Sequence, residues 1–255
     1  MLKAPGIIGR IFHKLDELRI NYYFSRLMAA ADVRGLPSRI RINRQCRGYS
    51  SASHWRFFRW VIEKYRPRSL CICGVYFGRD TAYLSHFMRQ CSAASPYKIV
   101  AVDKFEDRFC GDWSEQVRHL SWQEAGFGPA PTMEQTRKNL EALQLTDLVE
   151  LIVARAEDYL EKTPLLFDFI YVDTSHDYET TLKTIHLAQK RLNPGGVMAG
   201  DDYVDGGTWG VRSAVRAAFT THKVFDSWIW VAKAADCRVE TQSAETTRSE
   251  ITAPK

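Results

Sequence analysis

An α/β domain with a doubly wound, mainly parallel sheet covered by helices on both faces is what this sequence predicts, and two observations carry the prediction. Short apolar runs alternate along the chain with segments whose apolar residues recur at helical spacing. The runs are near-continuous in apolar residues, as strands buried on both faces are. At 255 residues, one large domain with additions accounts for the whole length. No linker separates two cores, and no internal repeat is visible.

From the first residue onward, Ile7, Ile8, Ile11, Phe12, Leu15 and Leu18 recur at helical spacing among Lys14, Asp16, Glu17 and Arg19, which describes an amphipathic helix. Packing on the core, a lid, a subunit contact in a homo-oligomer and an anionic membrane surface are all open to it. Arg34, Arg39, Arg41, Arg44 and Arg47 then interleave with Ile40 and Ile42 in what reads as an extended or irregular connection. It is either a solvated basic face or a contact for an acidic or phosphorylated substrate, which guanidinium forks suit. Residues 1–50 are therefore expected to be a helical or extended addition to a domain over 51–233.

Ser51 or Ser53 can cap a helix through Trp55, Phe58, Val61, Ile62 and Tyr65, which Pro67 ends. Ser69 to Cys73 is a buried strand, Gly74 to Gly78 a turn, and Arg79 to Met88 a helix. Lys98 to Val102 is a second buried strand ending at Asp103. The interval 104–131 has no clean period and holds Phe105, Phe109, Trp113, Trp122 and Phe127. Long loops in compact domains usually serve function, and these rings can shape a substrate pocket. Thr132 with Gln135 resembles a capping box for a helix to Leu145. Val149 to Val153 is a third strand, followed by a short helix around Glu157 to Lys162. Phe167 to Val172, a helix over Tyr178 to Leu192 and Gly196 to Ala199 form a strand-helix-strand unit. A helix over Trp209 to Thr220 and strands at Lys223 to Phe225 and Ser227 to Ala232 close the domain. Residues 234–255 are polar and are expected to be a disordered tail.

Apolar residues at 45% and charged residues at 25% are ordinary for a globular protein, and a formal charge of +5 favours anionic ligands without naming one. Six cysteines, Cys46, Cys71, Cys73, Cys91, Cys110 and Cys237, form no C-x-x-C pair, so neither a zinc site nor a disulfide framework is indicated and free thiols are expected. No apolar run approaches the roughly 20 residues that span a bilayer. The first residues, broken by Arg10, His13 and Lys14, lack a secretory h-region, so a cytoplasmic protein is expected.

Parallel strands joined by a right-handed crossover bring Asp173 and the Asp201–Asp202 pair to one sheet edge, where ligands of open α/β sheets bind. Neighbouring carboxylates repel unless a cation compensates them. An open Mg²⁺ site on Asp173, Asp201 and Asp202, with Asp202 the more replaceable, stands beside helix capping and turn formation as the alternative. His176, three residues after Asp173, is either a general base or a structural hydrogen-bonding residue. The turn GVYFG lacks the Gly-Lys-Ser/Thr ending of a phosphate loop, and G-x-G-x-x-G is absent. Asp103 is placed to accept from ribose hydroxyls, with a cap or turn as the alternative. A nucleoside without a pyrophosphate fits both.

GVYFGRDT, IVAVD, FDFIYVDTSHDY and LNPGGVMAGDDY, in this order and spacing, resemble the class I S-adenosylmethionine-dependent methyltransferases. The likeness is to the branch of small-molecule O-methyltransferases with the macrocin and mycinamicin sugar methyltransferases and the cephalosporin-biosynthesis proteins, over about Ser51 to Lys233. It implies a seven-stranded, Rossmann-like sheet whose last strand is antiparallel. It places S-adenosylmethionine over Gly74, Val75, Tyr76 and Gly78, with its ribose on Asp103 and its adenine near Ala156 and Glu157. It also implies Mg²⁺ on Asp173, Asp201 and Asp202, His176 as base, and a small polyhydroxylated acceptor such as a sugar. The family usually has an acidic residue two positions before the first glycine, where this chain has Ile72.

Two other readings stay open. Ile72 motivates a methyltransferase-like fold that binds a nucleoside or a protein without catalysis. The arginine segment motivates an RNA-modifying enzyme, against which stand the modest charge and the lack of a recognisable RNA-binding module.

Overall fold

Residues 35–91, 98–107 and 120–238 are described by the computed structural model, so the expected helix over residues 7–18 and most of the expected tail lie outside the described residues. Among the described residues, seven α-helices and nine strands follow one another: α1 (Leu36–Gln45), α2 (Ala52–Tyr65), β1 (Ser69–Cys73), α3 (Arg79–Cys91), β2 (Lys98–Asp103), α4 (Met133–Ala142), β3 (Val149–Val153), α5 (Ala156–Lys162), β4 (Phe167–Val172), α6 (Tyr178–Gln189), β5 (Leu192–Gly200), β6 (Asp205–Gly206), β7 (Trp209–Gly210), α7 (Val211–Ala218), β8 (Lys223–Phe225) and β9 (Ile229–Lys233). Seven of the strands form one sheet in the order β3-β2-β1-β4-β5-β9-β8. The first five are parallel, and β9 runs antiparallel to β5 and β8. This is the seven-stranded, doubly wound sheet that the sequence implies.

Period-2 side-chain alternation divides the core. Leu70, Ile72, Ile99, Ala101, Phe169 and Tyr171 face α1 to α4, with Trp55, Phe57, Phe58 and Tyr83. Cys71, Cys73, Val100, Val102, Ile170 and Val172 face α5 to α7, with Leu160, Ile185, Ala214 and Val215. Phe58 and Tyr171 meet edge to face at 4.9 Å, a favoured geometry for two fully buried rings.

The local chemistry of α2 explains both of its ends. Ser51 Oγ accepts from Ser53 N at 3.1 Å, and Arg66, in the left-handed region at φ 48°, stops the helix before Pro67. At the opposite edge of the sheet from the glycine turn, Arg68 N and Ser69 N donate to Asp168 Oδ2 at 2.7 and 3.1 Å, and Asn193 Nδ2 donates to Asp168 Oδ1 at 2.8 Å. One carboxylate thus ties β1, β4 and β5 together.

Four expectations need correction. Residues 36–45 are a helix and not an extended connection, because Pro37 starts it, Ile42 is buried in the core, and Arg41 and Gln45 donate to Ala142 O and Asn139 Oδ1. Ile42 and Cys46 pack in one core with Trp55 and Phe58. The helix after Thr132 ends at Ala142 rather than Leu145, since Gln144 turns left-handed at φ 61°. Leu192 opens β5 instead of ending α6, and Trp209 lies in β7 ahead of α7. The body continues past residue 233 through a 3₁₀ turn at Ala234–Asp236, and Arg238 N donates to Ala218 O at 2.9 Å.

Candidate active site

Strand order reverses between β1 and β4, which opens a crevice outside their carboxyl ends. The ladder runs one residue past each strand. Gly74 N donates to Val102 O at 2.9 Å, Asp173 N to Cys73 O at 2.8 Å and Asp201 N to Val172 O at 3.2 Å. Gly74, Asp173 and Asp201 are thereby delivered side by side. Gly74 has φ +92°, and a Cβ there would lie 1.6 Å from Asp173 O, so only glycine lets the turn rest on the end of β4.

Backbone groups of that turn are held from two directions. Asp103 Oδ2 accepts from Val75 N at 2.7 Å and Tyr76 N at 2.9 Å, while Oδ1 accepts from Phe105 N at 2.8 Å. From α4, Thr136 Oγ1 donates to Tyr76 O at 2.9 Å and Asn139 Nδ2 to Phe77 O at 3.0 Å. Asp103 was open to a ribose or to a cap or turn; in the structure it braces the turn, leaving about one of roughly four lone-pair sites. Over the turn, the ring of Tyr76 lies 5.2 Å from Trp122 and 5.9 Å from Tyr49. Phe127 adds an edge contact to Tyr49 at 6.1 Å. Part of the 104–131 interval thus folds back over the glycines.

The adjacent acids diverge. Asp201 Oδ2 lies 2.6 Å from His54 Nε2. Asp202, left-handed at φ 54°, turns the other way and places Oδ2 at 2.9 Å from His176 Nε2. Asp173 Oδ1 is 4.0 Å from the same nitrogen, and one ligand atom each of Asp173, His176 and Asp202 falls within 4.8 Å of the others. Of the expected acidic trio, Asp173 and Asp202 gather with His176, while Asp201 belongs to His54. The His176 ring stacks on Trp209 at 4.4 Å and 16°, and its carbonyl accepts from Gly210 N at 2.8 Å, which fastens the β6–β7 hairpin to the loop.

Charge accounts for the titration of this cluster. Burial first, then the like charges of Asp201 and Asp202, push the Asp173 carboxyl well above the ordinary carboxylate range. Burial alone would lower His54, but the Asp201 carboxylate outweighs it and raises the imidazole to about 10. Asp201 is itself brought down, its burial outweighed by His54. The Asp173 and Asp202 carboxylates are hard oxygen donors with open positions around them and fit a divalent cation such as Mg²⁺, with the His176 imidazole beside them.

Ala156 is buried, and the Glu157 carboxylate accepts from Thr184 Oγ1 at 2.7 Å, so that side chain joins α5 to α6. The adenine was expected near Ala156 and Glu157. His54 and Trp209 escaped sequence reading, because neither has a local motif and their partners lie far along the chain. A groove of about 540 Å³ lined by Leu36, Pro37, Ile40, Arg41, Arg44 and Gln45 shares no residue with the cluster. Among the described residues, no helix is long and apolar enough to cross a membrane.

A family model described as a methyltransferase domain matches residues 71–203, from β1 to just past the paired acids. No curated protein matches the chain. Among solved structures, a candidate O-methyltransferase from Klebsiella pneumoniae is similar at 14% identity and a TM-score of 0.59, covering 85% of this chain and 98% of its own. The O-methyltransferase TomG from Streptomyces achromogenes, involved in tomaymycin synthesis and solved with S-adenosylmethionine, is similar at 18% identity and a TM-score of 0.55, covering 84% and 96%. An O-methyltransferase from Bacillus cereus, solved with S-adenosylhomocysteine, gives 17% identity and a TM-score of 0.53, covering 84% and 96%. Likeness at these identities establishes the fold alone.

Proposed function

This chain belongs to the methyltransferase domain family, and we propose that it is an S-adenosylmethionine-dependent, Mg²⁺-assisted O-methyltransferase acting on a hydroxyl of a small polyhydroxylated molecule such as a sugar. The observation that carries this reading is the convergence of Asp173, His176 and Asp202 beside the glycine turn at the strand-order reversal.

A sulfonium methyl is already a strong electrophile, so the protein has to align a hydroxyl with it and remove the proton. His176 is the base. Asp202 at 2.9 Å favours the imidazolium that results, and Trp209 fixes the ring plane. Bound Mg²⁺, held by Asp173 and Asp202, would lower the hydroxyl pKa and offset the crowded carboxylates. The nucleoside lies over Gly74 to Gly78, with the remaining lone pair of Asp103 for a ribose hydroxyl and backbone at Ala156 for the adenine. Tyr49 and Trp122 offer ring faces to the acceptor.

Calorimetry with S-adenosylhomocysteine, with and without Mg²⁺, tests the donor half. Transfer of labelled methyl to sugars and other polyols tests the acceptor half. Binding strengthened by Mg²⁺ and followed by transfer to a hydroxyl is expected. Failure of both S-adenosylmethionine and S-adenosylhomocysteine to bind sinks the reading.

A further inference from the structure

Several buried polar atoms without a partner lie on the segments that border the glycine turn and Asp173. Among the described residues, Asp80 Oδ1, Thr81 Oγ1, Tyr171 Oη and Thr174 Oγ1 are all buried with no hydrogen-bond partner. Asp80 and Thr81 open α3 directly after the glycine turn, Tyr171 lies two residues before Asp173 in β4, and Thr174 directly follows that acid. Native proteins leave few such atoms, and a concentration at one crevice marks a place for a polar guest.

Asp80 is the most demanding of the four. It is 9% exposed, and Ser50 satisfies its carboxyl only in part. The first turn of a helix favours an acid through its dipole, which accounts for a carboxylate at this position. It does not account for an oxygen that faces nothing. The charge of Asp80 acts on His54, Asp173 and Asp201, so it belongs to the field of the same crevice. Of the cations that act on Asp80, His54 is already paired with Asp201, and Arg79 donates to Cys46 O and Ser50 O. Ile72, two residues before the glycine turn, is fully buried in the sheet core and has no polar atom to offer a ligand.

We infer that Asp80 receives the ammonium group of the amino-acid end of the methyl donor. The inference rests on the donor proposed above. An ammonium supplies both the missing donor for Oδ1 and the missing positive charge. Tyr171 and Thr81 leave hydroxyl donors for the neighbouring carboxylate of the same amino acid.

Calorimetry on the full chain tests this with three probes: S-adenosylhomocysteine, its analogue with hydrogen in place of the amino group, and 5′-methylthioadenosine, which has no amino-acid end. In the wild type, loss of the amino group is expected to weaken binding about 10–100-fold, the usual range for a hydrogen bond to a charged group. Asp80→Asn is expected to weaken S-adenosylhomocysteine by a similar factor, to leave 5′-methylthioadenosine within about 2-fold, and to show no further loss for the amino-less analogue. Equal wild-type affinity for the first two probes overturns the inference whether or not the variant folds. Unchanged S-adenosylhomocysteine binding by Asp80→Asn, or an equal loss of all three probes, overturns it as well. A wild type that binds none of the three fails the proposed function itself, a result distinct from the others.

Discussion

His54 Nε2 stands 2.6 Å from Asp201 Oδ2, joining the first turn of α2 to the residue that follows β5. The side chains are 8% and 16% exposed, so the contact is a buried ion pair and not a surface one. His54 Nδ1 donates to Ser51 Oγ at 3.2 Å, which fixes the ring from behind. Removing one partner of such a pair strands the other charge, which typically costs about 3–5 kcal/mol. His54→Ala is expected to lower unfolding stability by about 3 kcal/mol, read from denaturant midpoints at neutral pH. A change under about 1 kcal/mol would show that water replaces the imidazole without penalty.

Gly74 is the second point of no substitution. Alanine there meets both an unfavourable φ of +92° and the carbonyl oxygen of Asp173, a backbone atom that cannot swing away. Gly74→Ala is expected to cost about 2–4 kcal/mol, at the upper end of single substitutions. It should also weaken nucleoside binding, because relief requires parting the turn from β4. Gly195→Ala is the control: its φ of +81° is strained too, but nothing lies within 4 Å of its Cβ. It should lose only the backbone share, about 1 kcal/mol, and wild-type stability in Gly74→Ala would contradict the packing described.

Legibility followed locality. β1, β3 and β4 were readable to the residue because each is a short, mostly apolar run, and Asp173 was readable because it follows one. Residues 36–45 were not. Ile40 and Ile42 are β-branched and separated by arginines, which reads as extended, and only tertiary contacts of Ile42 and Gln45 turn the segment helical. The metal-capable group was half readable. Asp202 was expected to be the more replaceable acid, yet which one faced Asp173 depended on His54, a residue with no sequence motif linking it to Asp201. The commitment of Asp103 to Val75 and Tyr76 was hidden for a related reason, since strand ends and turn amides come together only after the sheet forms.

Asp168 gives the fold a pH signature away from the chemistry. Burial alone would raise its pKa, but hydrogen bonds from Arg68 N, Asn193 and Ser69 outweigh it and hold the carboxyl below the usual range. A group with a lowered folded-state pKa contributes stability above its unfolded value, about 3.9, and loses that contribution as pH falls through the folded value. Asp168→Asn is therefore expected to cost about 1 kcal/mol at pH 7, kept small by partial exposure. The gap from the wild type should narrow below about pH 4. Urea unfolding between pH 3 and pH 7 measures it, and a gap independent of pH would assign the loss to packing.

Asp201 and Asp202 separate structure from metal binding in one experiment. The sequence reading made Asp202 the more replaceable acid, whereas the structure sets it beside His176 and within reach of Asp173 and commits Asp201 to His54. Asp202→Asn should keep the fold, since the side chain is partly exposed and asparagine tolerates the left-handed φ of 54°. It should weaken Mg²⁺ binding, measured calorimetrically with S-adenosylhomocysteine present, by about 10-fold or more, the effect expected when a hard cation loses one of its two carboxylates. Asp201→Asn should do the reverse. It removes the charge that holds His54 protonated, so stability falls, while the Asp173–Asp202 donors remain and Mg²⁺ affinity changes less than in Asp202→Asn. Mg²⁺ binding lost mainly in Asp201→Asn would mean that a bound cation draws Asp201 away from His54, and that the ion pair belongs to the metal-free form.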